Sequence, residues 1–240
     1  MNENGQQRQE ERVQTVVFVR HGIAQHNLYD PRTGRPPNLE DPALFDPPLV
    51  LEGKRQVLEA GERLRTWWST TQLGEPIELV VTSPLTRCIQ TATLALLPGD
   101  LYTKDIREPS FLCTDLVREA YGKHFPDKRR TKSILAAHWP SLKFDPQMTH
   151  HDELWHPQQR ETISHMAHRI RTFLDMVSQQ PESNIVVVSH GVWIETCLAL
   201  MAPEVLDHGQ KRVYNCDMFY AKCVSMNGRF SRLQDARKIE

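Results

Sequence analysis

Three short runs rich in β-branched and aliphatic residues constrain the fold of this chain most. They lie at residues 15–20 (TVVFVR), 77–82 (IELVVT) and 184–189 (NIVVVS). Runs of this length with apolar residues at consecutive positions are typical of strands that are covered on both faces, as in parallel sheets packed between helices. The sequence therefore predicts a sheet buried in the middle of the molecule.

The segments between these runs show the period of amphipathic helices. Apolar residues recur every three to four positions from residue 53 onward and again over 161–179. Alternation of strands and helices predicts an α/β fold with three αβα layers, in which a mostly parallel central sheet carries helices on both faces. A further strand is expected at 101–107, and Asn227-Gly228 predicts a tight hairpin late in the chain.

Length and composition fit a single domain with one substantial core. The chain has 240 residues, of which 39% are hydrophobic, and this is enough for one larger α/β domain. The polar stretch 1–12 is expected to be a disordered tail that precedes a domain over 13–240. Residues from about 109 to 159 show no clear period, so we expect them to form a cap-like insertion beside the core that makes one wall of the ligand pocket.

The charges and cysteines argue against several classes of protein. The formal net charge is −1, which gives no overall positive field for gripping nucleic acid. No apolar run reaches the ~18 residues of a membrane span, and the N-terminal residues lack the pattern of a secretory signal. The five cysteines include no CxxC pair and fit reduced thiols. We expect a cytoplasmic protein, or one both cytoplasmic and nuclear, that binds neither nucleic acid nor membranes.

Histidine and arginine residues follow the ends of the three apolar strands. Residues 20–22 (RHG) follow the first, Arg87 lies shortly after the second, and residues 189–191 (SHG) follow the third. Ligands of open α/β sheets bind beyond the carboxyl ends of the strands, so we expect these side chains to meet there. Guanidinium groups match phosphate oxygens, and Gly22 lets the backbone approach a ligand closely. Neighbouring cations disfavour a protonated histidine and leave a neutral, nucleophilic imidazole.

The order of these motifs matches a known pattern. The chain contains RHG at 20–22, Asn27, SPLTRCIQTA at 83–92, a carboxylate at Glu119 and SHG at 189–191. This series resembles the histidine phosphatase (phosphoglycerate mutase-like) superfamily far more specifically than an RHG tripeptide alone. The segments EDPALFDPPLVLEGKRQV and YNCDMFYA are also similar to its fungal and plant phosphoglycerate mutase-like branch.

The resemblance implies roles for the side chains around the phosphate. His21 would be the nucleophile that becomes a phosphohistidine, and Arg20, Arg87 and His190 would complete the phosphate pocket. Asn27 would add an amide donor to that pocket, or would only brace its own loop.

The resemblance also implies a proton donor for the leaving oxygen. Glu119 is expected in this role because the segment REAYG around it resembles a Glu-x-x-Tyr-Gly segment of the mutases, with Asp115 as the competing carboxylate. General acids of this kind contribute roughly 10²–10⁴-fold to the rate. The basic run Lys128, Arg129 and Arg130 either forms a solvated face or binds a second phosphate or carboxylate of the substrate.

A metal centre and a bound cofactor are not expected. His150, His151, Asp152 and His156 lie close together in the sequence. However, their spacing lacks the i, i+4 pattern of helical zinc sites, and nearby prolines predict a loop.

Two departures from the cofactor-dependent mutases favour a phosphatase. Ala24 stands where those mutases carry a small hydroxyl residue, and the Pro-rich segment 31–48 replaces their Gly-Trp loop. We therefore expect a metal-independent phosphatase that hydrolyses small phosphomonoesters, with a small phosphorylated metabolite as its partner. Phosphoglycerate mutase-type phosphoryl transfer and a non-catalytic phosphate-binding protein on the same fold are the alternatives.

Overall fold

A central sheet of seven strands lies between helices in the computed structural model, which describes residues 10–71, 75–96, 108–206 and 212–240. The elements are, in chain order, β1 (Glu11–Arg20), α1 (Leu51–Thr70), β2 (Leu79–Thr82), α2 (Thr86–Leu96), β3 (Ser110–Cys113), α3 (Lys132–His138), β4 (Leu142–Phe144), α4 (Ile163–Ser178), β5 (Asn184–Ser189), α5 (Gly191–Met201), β6 (Met218–Met226) and β7 (Arg229–Ile239). The strand order across the sheet is β4-β3-β2-β5-β1-β6-β7. Strands β1 to β5 pair in parallel, whereas β6 and β7 are antiparallel to their neighbours. The predicted mostly parallel sheet is confirmed.

Strand β1 lies in the interior of the sheet because it is apolar on both faces. Val16 and Phe18 belong to the core on one face, and Val17 and Val19 belong to the core on the other. Within β1 and β5, Phe18 lies opposite Val187 in parallel register. Full burial of each such side chain contributes about 1.5–3 kcal/mol, so the apolar run selects a position between two helical layers.

Helices cover both faces of the sheet. Helices α1 and α2 pack on one face, where Val57, Leu64 and Ile89 are buried. Helices α4 and α5 pack on the other face, where the rings of Phe173 and Trp193 meet at 5.4 Å between centroids. The predicted three-layer αβα fold is confirmed. No helix in the described ranges combines the length and the apolar character that crossing a membrane requires.

The predicted C-terminal hairpin is confirmed. Asn227 and Gly228 connect β6 to β7, and their φ angles are +51° and +74°. A two-residue turn of the type that matches the twist of the strands requires positive φ at both positions, which Asn and Gly adopt most readily.

The start of the first strand differs from the prediction. Strand β1 begins at Glu11, so Glu11 and Arg12 belong to the sheet rather than to a disordered tail. The Arg12 guanidinium donates hydrogen bonds to the carbonyl groups of Gln180 and Pro181, which fixes this end of the strand. The rest of the expected tail, residues 1–9, lies outside the described residues, as does the strand expected at 101–107.

The region 109–159 is not only a cap beside the core. Strands β3 and β4 lie within it and extend the sheet beyond β2. They were missed in the sequence because they contain only four and three residues, too few for their periodicity to stand out. The remaining loops of this region lie over the carboxyl ends of the strands and supply part of the site described below.

Candidate active site

The carboxyl ends of β1, β5 and β2 bring two histidines and an arginine into contact. His21 follows β1, His190 follows β5, and Arg87 lies in the first turn of α2. The ring centroids of the histidines are 5.1 Å apart. Arg87 bridges them, because its Nε donates to Nε2 of His21 at 3.2 Å and its Nη2 lies 3.1 Å from Nδ1 of His190. All three side chains are buried.

The hydrogen bonds of His21 fix its tautomer. Its Nδ1 lies 2.7 Å from the carbonyl oxygen of Gly22, which can only accept, so Nδ1 carries the proton. The lone pair of Nε2 then accepts the hydrogen bond from Arg87 Nε. Burial holds the pKa of His21 well below its usual range, and the cations of Arg87 and Arg20 lower it further. The lowered pKa favours the neutral ring that the sequence predicts, and burial is a larger cause than the neighbouring charges.

Gly22 supports the nucleophile through its backbone. Its carbonyl accepts from His21, and its N–H donates to Oγ1 of Thr91 at 3.1 Å. A Cβ at this position would lie 2.8 Å from the Gly53 carbonyl oxygen and 2.5 Å from the Val57 side chain. Glycine is therefore needed so that α1 can approach the end of β1. Because both polar groups of the backbone are in use, Gly22 fits a positioning role rather than the predicted contact with substrate.

Arg20 retains an unused hydrogen-bond donor. Its Nη1 donates to the Val213 carbonyl oxygen at 2.5 Å. Its Nε is buried and has no hydrogen-bond partner within the described part of the chain. The guanidinium lies against Gly191, where a Cβ would come within 3.3 Å of Arg20 Nε. The SHG glycine thus leaves room for Arg20 at the start of α5.

Ser83 orients the second histidine. The Nη2 of Arg87 can only donate, so Nδ1 of His190 accepts and Nε2 carries the proton, which points to Ser83 Oγ at 2.8 Å. Burial, followed by the charge of Arg87, holds the pKa of His190 well below its usual range. Ser83 therefore acts on the histidine through a hydrogen bond, a role that its place in the SPLTR motif did not by itself reveal.

Asp127 holds Arg87 in place, although the sequence alone predicts no role for Asp127 in the site. Its Oδ1 accepts from Nη2 of Arg87 at 3.0 Å, and its Oδ2 accepts from Nη1 of Arg160 at 2.9 Å. The carbonyl oxygen of Pro126 accepts from Nη1 of Arg87 at 2.6 Å. The only signal in the sequence was an acidic residue directly before the basic run at Lys128. Residues of the region 109–159 thus hold an arginine that lies after β2.

Glu119 is enclosed at the beginning of α5. Its Oε1 accepts from the N–H of Ala120 at 2.9 Å, and its Oε2 accepts from the N–H of Val192 at 3.1 Å. Burial raises the pKa of Glu119, and the negative charge of Asp127 raises it further. A carboxyl group in this environment keeps its proton to a higher pH than an exposed one.

Asp115 lies in a different environment from Glu119. Its Oδ1 accepts from Nη1 of Arg118 at 2.9 Å and from Nε of Arg129 at 3.1 Å. Two guanidinium groups thus bind the same oxygen. Asp115 is therefore engaged in ion pairs with the region 109–159, whereas Glu119 accepts from backbone N–H groups.

Comparison with known proteins agrees with this geometry. A model of the histidine phosphatase superfamily (branch 1) matches residues 16–235. The chain belongs to the histidine phosphatase superfamily. The predicted resemblance, including the likeness to plant and fungal phosphoglycerate mutase-like proteins, is confirmed.

Three similar proteins illustrate the range of this superfamily. "Phosphoglycerate mutase-like protein" from Arabidopsis thaliana is 29% identical over 231 residues, which cover 86% of this chain and 83% of that protein. "Probable phosphoglycerate mutase" from Arthroderma benhamiae is 30% identical over 160 residues, which cover 64% of this chain and 45% of that protein. The ecdysone phosphate phosphatase of Bombyx mori, solved with tungstate, has the same fold with a TM-score of 0.54 at 16% identity, covering 87% of this chain and 88% of that one.

The basic run Lys128, Arg129 and Arg130 is not gathered around His21. The Arg129 guanidinium is fully enclosed, and besides Asp115 it donates to the carbonyl oxygens of Thr149, His150 and His151. These contacts leave it no donor for a ligand, so the predicted substrate role does not fit Arg129. It instead holds the loop that follows β4.

The two neighbours of Arg129 also bind protein groups. The Nζ of Lys128 lies 4.4 Å from the ring centroid of Trp155. Nε of Arg130 forms an ion pair with Asp46 at 3.1 Å. Asp46 in turn accepts from the backbone N–H and the hydroxyl of Thr86, so Arg130 supports the beginning of α2.

Asn27 braces its loop and orients a third histidine. Its Oδ1 accepts from the N–H of Ala24 at 3.0 Å, and its Nδ2 lies 3.3 Å from Nε2 of His26. The ring of His26 lies 5.8 Å from that of His21 between centroids. The sequence alone assigns no role to His26, and its place directly before Asn27 is the one local signal for it.

The histidines of the segment 150–156 do not form a metal centre. The described ranges contain no group of three or more His, Cys, Asp or Glu side chains that could hold a metal ion. Asp152 is ion-paired with Arg118 at 2.8 Å.

A cavity of about 350 Å³ opens beside Arg20, the residue that directly precedes His21. Arg20, His26 and Asn27 line it. Tyr29 and Tyr214, with exposed fractions of 65% and 61%, also line it. The volume suits a small organic molecule next to Arg20.

Proposed function

We propose that this histidine phosphatase hydrolyses small phosphomonoesters through a phosphohistidine on His21, without a metal ion and with Glu119 as the proton donor. The observation that carries this proposal is the state of His21. Its imidazole is buried and neutral, with its proton on Nδ1 and the lone pair of Nε2 directed at Arg87. A phosphoryl group bound by Arg87 would therefore lie next to that lone pair.

In the first step, Nε2 of His21 attacks phosphorus and the bond between phosphorus and the ester oxygen breaks. The electron pair of that bond goes to the leaving oxygen, which takes the proton of the Glu119 carboxyl group. The hydrogen bond from Nδ1 of His21 to Gly22 stabilises the positive charge that develops on the ring. Arg20 and Arg87 neutralise charge on the phosphoryl oxygens, as phosphoryl transfer requires.

In the second step, a water molecule attacks phosphorus and gives its proton to the Glu119 carboxylate. The bond between phosphorus and Nε2 breaks, and its electron pair returns to His21. Inorganic phosphate leaves, and both residues regain their starting protonation. The same side chain thus serves as general acid and then as general base.

Two arginines supply the positive charge that a metal ion would otherwise provide. Arg87 already binds both histidines, and Nε of Arg20 has no hydrogen-bond partner within the described residues. The reaction is therefore expected to be insensitive to chelators.

Hydrolysis is favoured over transfer back to the product by the surroundings of the cavity. Tyr29 and Tyr214, which line the cavity, are largely exposed, so bulk water reaches the cavity that Arg20 lines beside the buried His21. Ala24 lies buried and provides no hydroxyl group at this position. A mutase must protect its phosphohistidine from water, and phosphoglycerate mutase-type transfer is the second candidate because two similar proteins carry that name.

The test compares wild type, His21→Ala and His168→Ala for release of phosphate from a panel of phosphomonoesters, with EDTA present. His168 lies exposed on α4 outside the site, so its variant controls for the loss of an imidazole. Wild type and His168→Ala should turn over equally, and His21→Ala should be at least about 10⁴-fold slower. The phosphorylated enzyme should survive alkali and lose its phosphate in acid, as phosphohistidine does.

The other possible results would indicate a different nucleophile or a different function for this protein. Equal turnover in His21→Ala would remove His21 as the nucleophile. Interconversion of phosphoglycerates with catalytic 2,3-bisphosphoglycerate, in the absence of net hydrolysis, would identify a mutase. Binding of phosphate without any turnover would identify a phosphate-binding protein on this fold.

A further inference from the structure

His26 is a half-buried histidine beside His21 that the proposed reaction does not use. It lies in a short 3₁₀ turn, Gln25–Asn27, after β1. Its Nδ1 is buried and has no hydrogen-bond partner among the residues that the structure describes. Buried polar atoms are nearly always hydrogen-bonded, so an unpaired one needs a physical explanation.

Asn27 decides which nitrogen of His26 carries the proton. Oδ1 of Asn27 accepts from the N–H of Ala24, so the NH₂ group of the same amide is the one that faces His26. An NH₂ group can only donate. Nε2 of His26 therefore accepts, and the proton of the neutral ring lies on Nδ1. The unpaired atom is thus an N–H donor that lacks an acceptor.

The surroundings of His26 favour the uncharged form of its ring. They also favour a ligand that carries negative charge. Burial, followed by the charges of Arg87 and Arg20, holds the pKa of His26 well below its usual range. His26 thus stays uncharged, with a single N–H proton on Nδ1, while the two arginines make the space near it positive.

A second unpaired donor belongs to another residue that lines the same cavity. Nε of Arg20 is also buried and has no partner in the described ranges, and both Arg20 and His26 line the cavity of about 350 Å³. Two buried donors without acceptors, close to a nucleophile and to Arg87, fit an acceptor that carries several oxygens and negative charge. A phosphoryl group has these properties.

We propose that Nδ1–H of His26 donates a hydrogen bond to an oxygen of the substrate's phosphoryl group, and that Asn27 is a positioning residue that acts through His26. This inference rests on the proposed function, since the ligand is the phosphoryl group that His21 would attack. It gives Asn27 a different role from the direct amide donor that the family resemblance implies. The positive side of the pocket then consists of Arg20, Arg87 and the neutral donor His26.

The test uses two substitutions that differ in the Nδ1 donor. His26→Phe keeps a planar ring and removes the donor, whereas His26→Asn places an amide nitrogen close to the position of Nδ1. Binding of inorganic phosphate is measured by calorimetry and kcat/KM with a phosphomonoester. A hydrogen bond to a charged group corresponds to an effect of about 10- to 150-fold, so His26→Phe should weaken both quantities by that factor and His26→Asn should recover most of it.

A double variant separates the two roles of Asn27. If Asn27 acts through His26, Asn27→Ala combined with His26→Phe should be no worse than His26→Phe alone. Losses that multiply would show that Asn27 contacts phosphate directly and would overturn this part of the proposal.

Two further readouts keep the inference testable. In wild type, the ¹H and ¹⁵N shifts of the His26 Nδ1–H group should move when inorganic phosphate or vanadate is added, even if a variant fails to fold. Unchanged shifts, or equal phosphate affinity in wild type and a folded His26→Phe, would overturn the proposal. Failure of the proposed function is distinct, because wild type would then bind phosphate through His26 without turning over any ester.

Discussion

Two buried clusters of charged side chains lie close together in this molecule and differ in what they leave unpaired. The first, here called the catalytic cluster, consists of Arg20, His21, Arg87, Glu119 and His190. The second, the ion cluster, consists of Asp115, Arg118, Arg129 and Asp152, and it holds the loops of the region 109–159 together.

The ion cluster is balanced within itself. Its two guanidinium groups meet two carboxylates, and Arg129 donates the rest of its hydrogen bonds to main-chain carbonyl groups. The catalytic cluster is not satisfied within itself, because Arg20 keeps an unused Nε and Arg87 takes its carboxylate, Asp127, from outside the cluster while donating to two imidazoles. Arginines occur in both clusters, so the catalytic cluster is distinguished by its unsatisfied donor and not by residue type.

The largest effect is expected for Arg87→Met, which removes the shared donor of the catalytic cluster. The kcat/KM for a phosphomonoester should fall by about 10³–10⁵-fold, the effect of removing an arginine that stabilises phosphoryl transfer. The affinity for vanadate should fall with it. A thermal melt checks that the fold persists, and an active variant with unchanged vanadate affinity would break the distinction between the two clusters.

Glu119→Gln should lower kcat by about 10²–10⁴-fold and change the pH profile. In wild type, turnover needs neutral His21, so activity should fall at acid pH only below the usual histidine range of about 6.5, because its pKa is lowered. Turnover also needs protonated Glu119, so activity should fall as pH rises through a pKa above the usual value of about 4.3.

The alkaline fall should disappear in Glu119→Gln, because an amide does not titrate. Asp115→Asn is the matched control, and it should keep the wild-type shape of the profile. If Asp115→Asn instead removed the alkaline fall, Asp115 and not Glu119 would be the proton donor.

Arg129→Met should act on stability rather than on catalysis. Removing one partner of a buried ion pair costs up to about 3–5 kcal/mol. Here Asp115 would keep only Arg118 as its partner, and the carbonyl groups of Thr149, His150 and His151 would lose a donor. The free energy of unfolding from urea titrations measures this loss. The folded fraction should keep its kcat/KM and its phosphate affinity, and a selective loss of phosphate binding would return Arg129 to the substrate pocket.

The smallest effect is expected for Lys128→Met. Its contact with Trp155 is a cation–π interaction at a half-buried site, which contributes about 0.5–1 kcal/mol. The free energy of unfolding should be slightly lower than in wild type, and the inhibition constant of inorganic phosphate should not change. A weaker phosphate inhibition in this variant, at equal stability, would show that the basic run reaches the ligand.

The sequence predicted the interior of the sheet because apolar residues at consecutive positions can be buried only one way. The runs now seen as β1 and β5 were recognised for this reason, and the ends of these strands placed His21 and His190 together. Strands β3 and β4 were missed, because their few residues gain their stability from neighbours rather than from a local pattern.

The partners of charged side chains could not be predicted from the sequence. Asp115 and Glu119 are four positions apart, and only the tertiary contacts of Arg118 and Arg129 with Asp115 separate their roles. Likewise, nothing local to Arg129 shows that its guanidinium meets carbonyl groups some twenty residues later. Such pairings depend on loops whose paths have no period.

Strand β1 also has a consequence for how the protein is made. Both of its sheet neighbours come from late in the chain, since β5 begins at Asn184 and β6 at Met218. Translation at about 5–20 residues per second needs roughly 8–33 s to cover the distance from Arg20 to Asn184. During that time the nascent valine-rich segment has unpaired backbone groups that chaperones or other chains can reach. A polypeptide released before residue 190 would carry His21 and yet lack His190, its partner in the catalytic cluster.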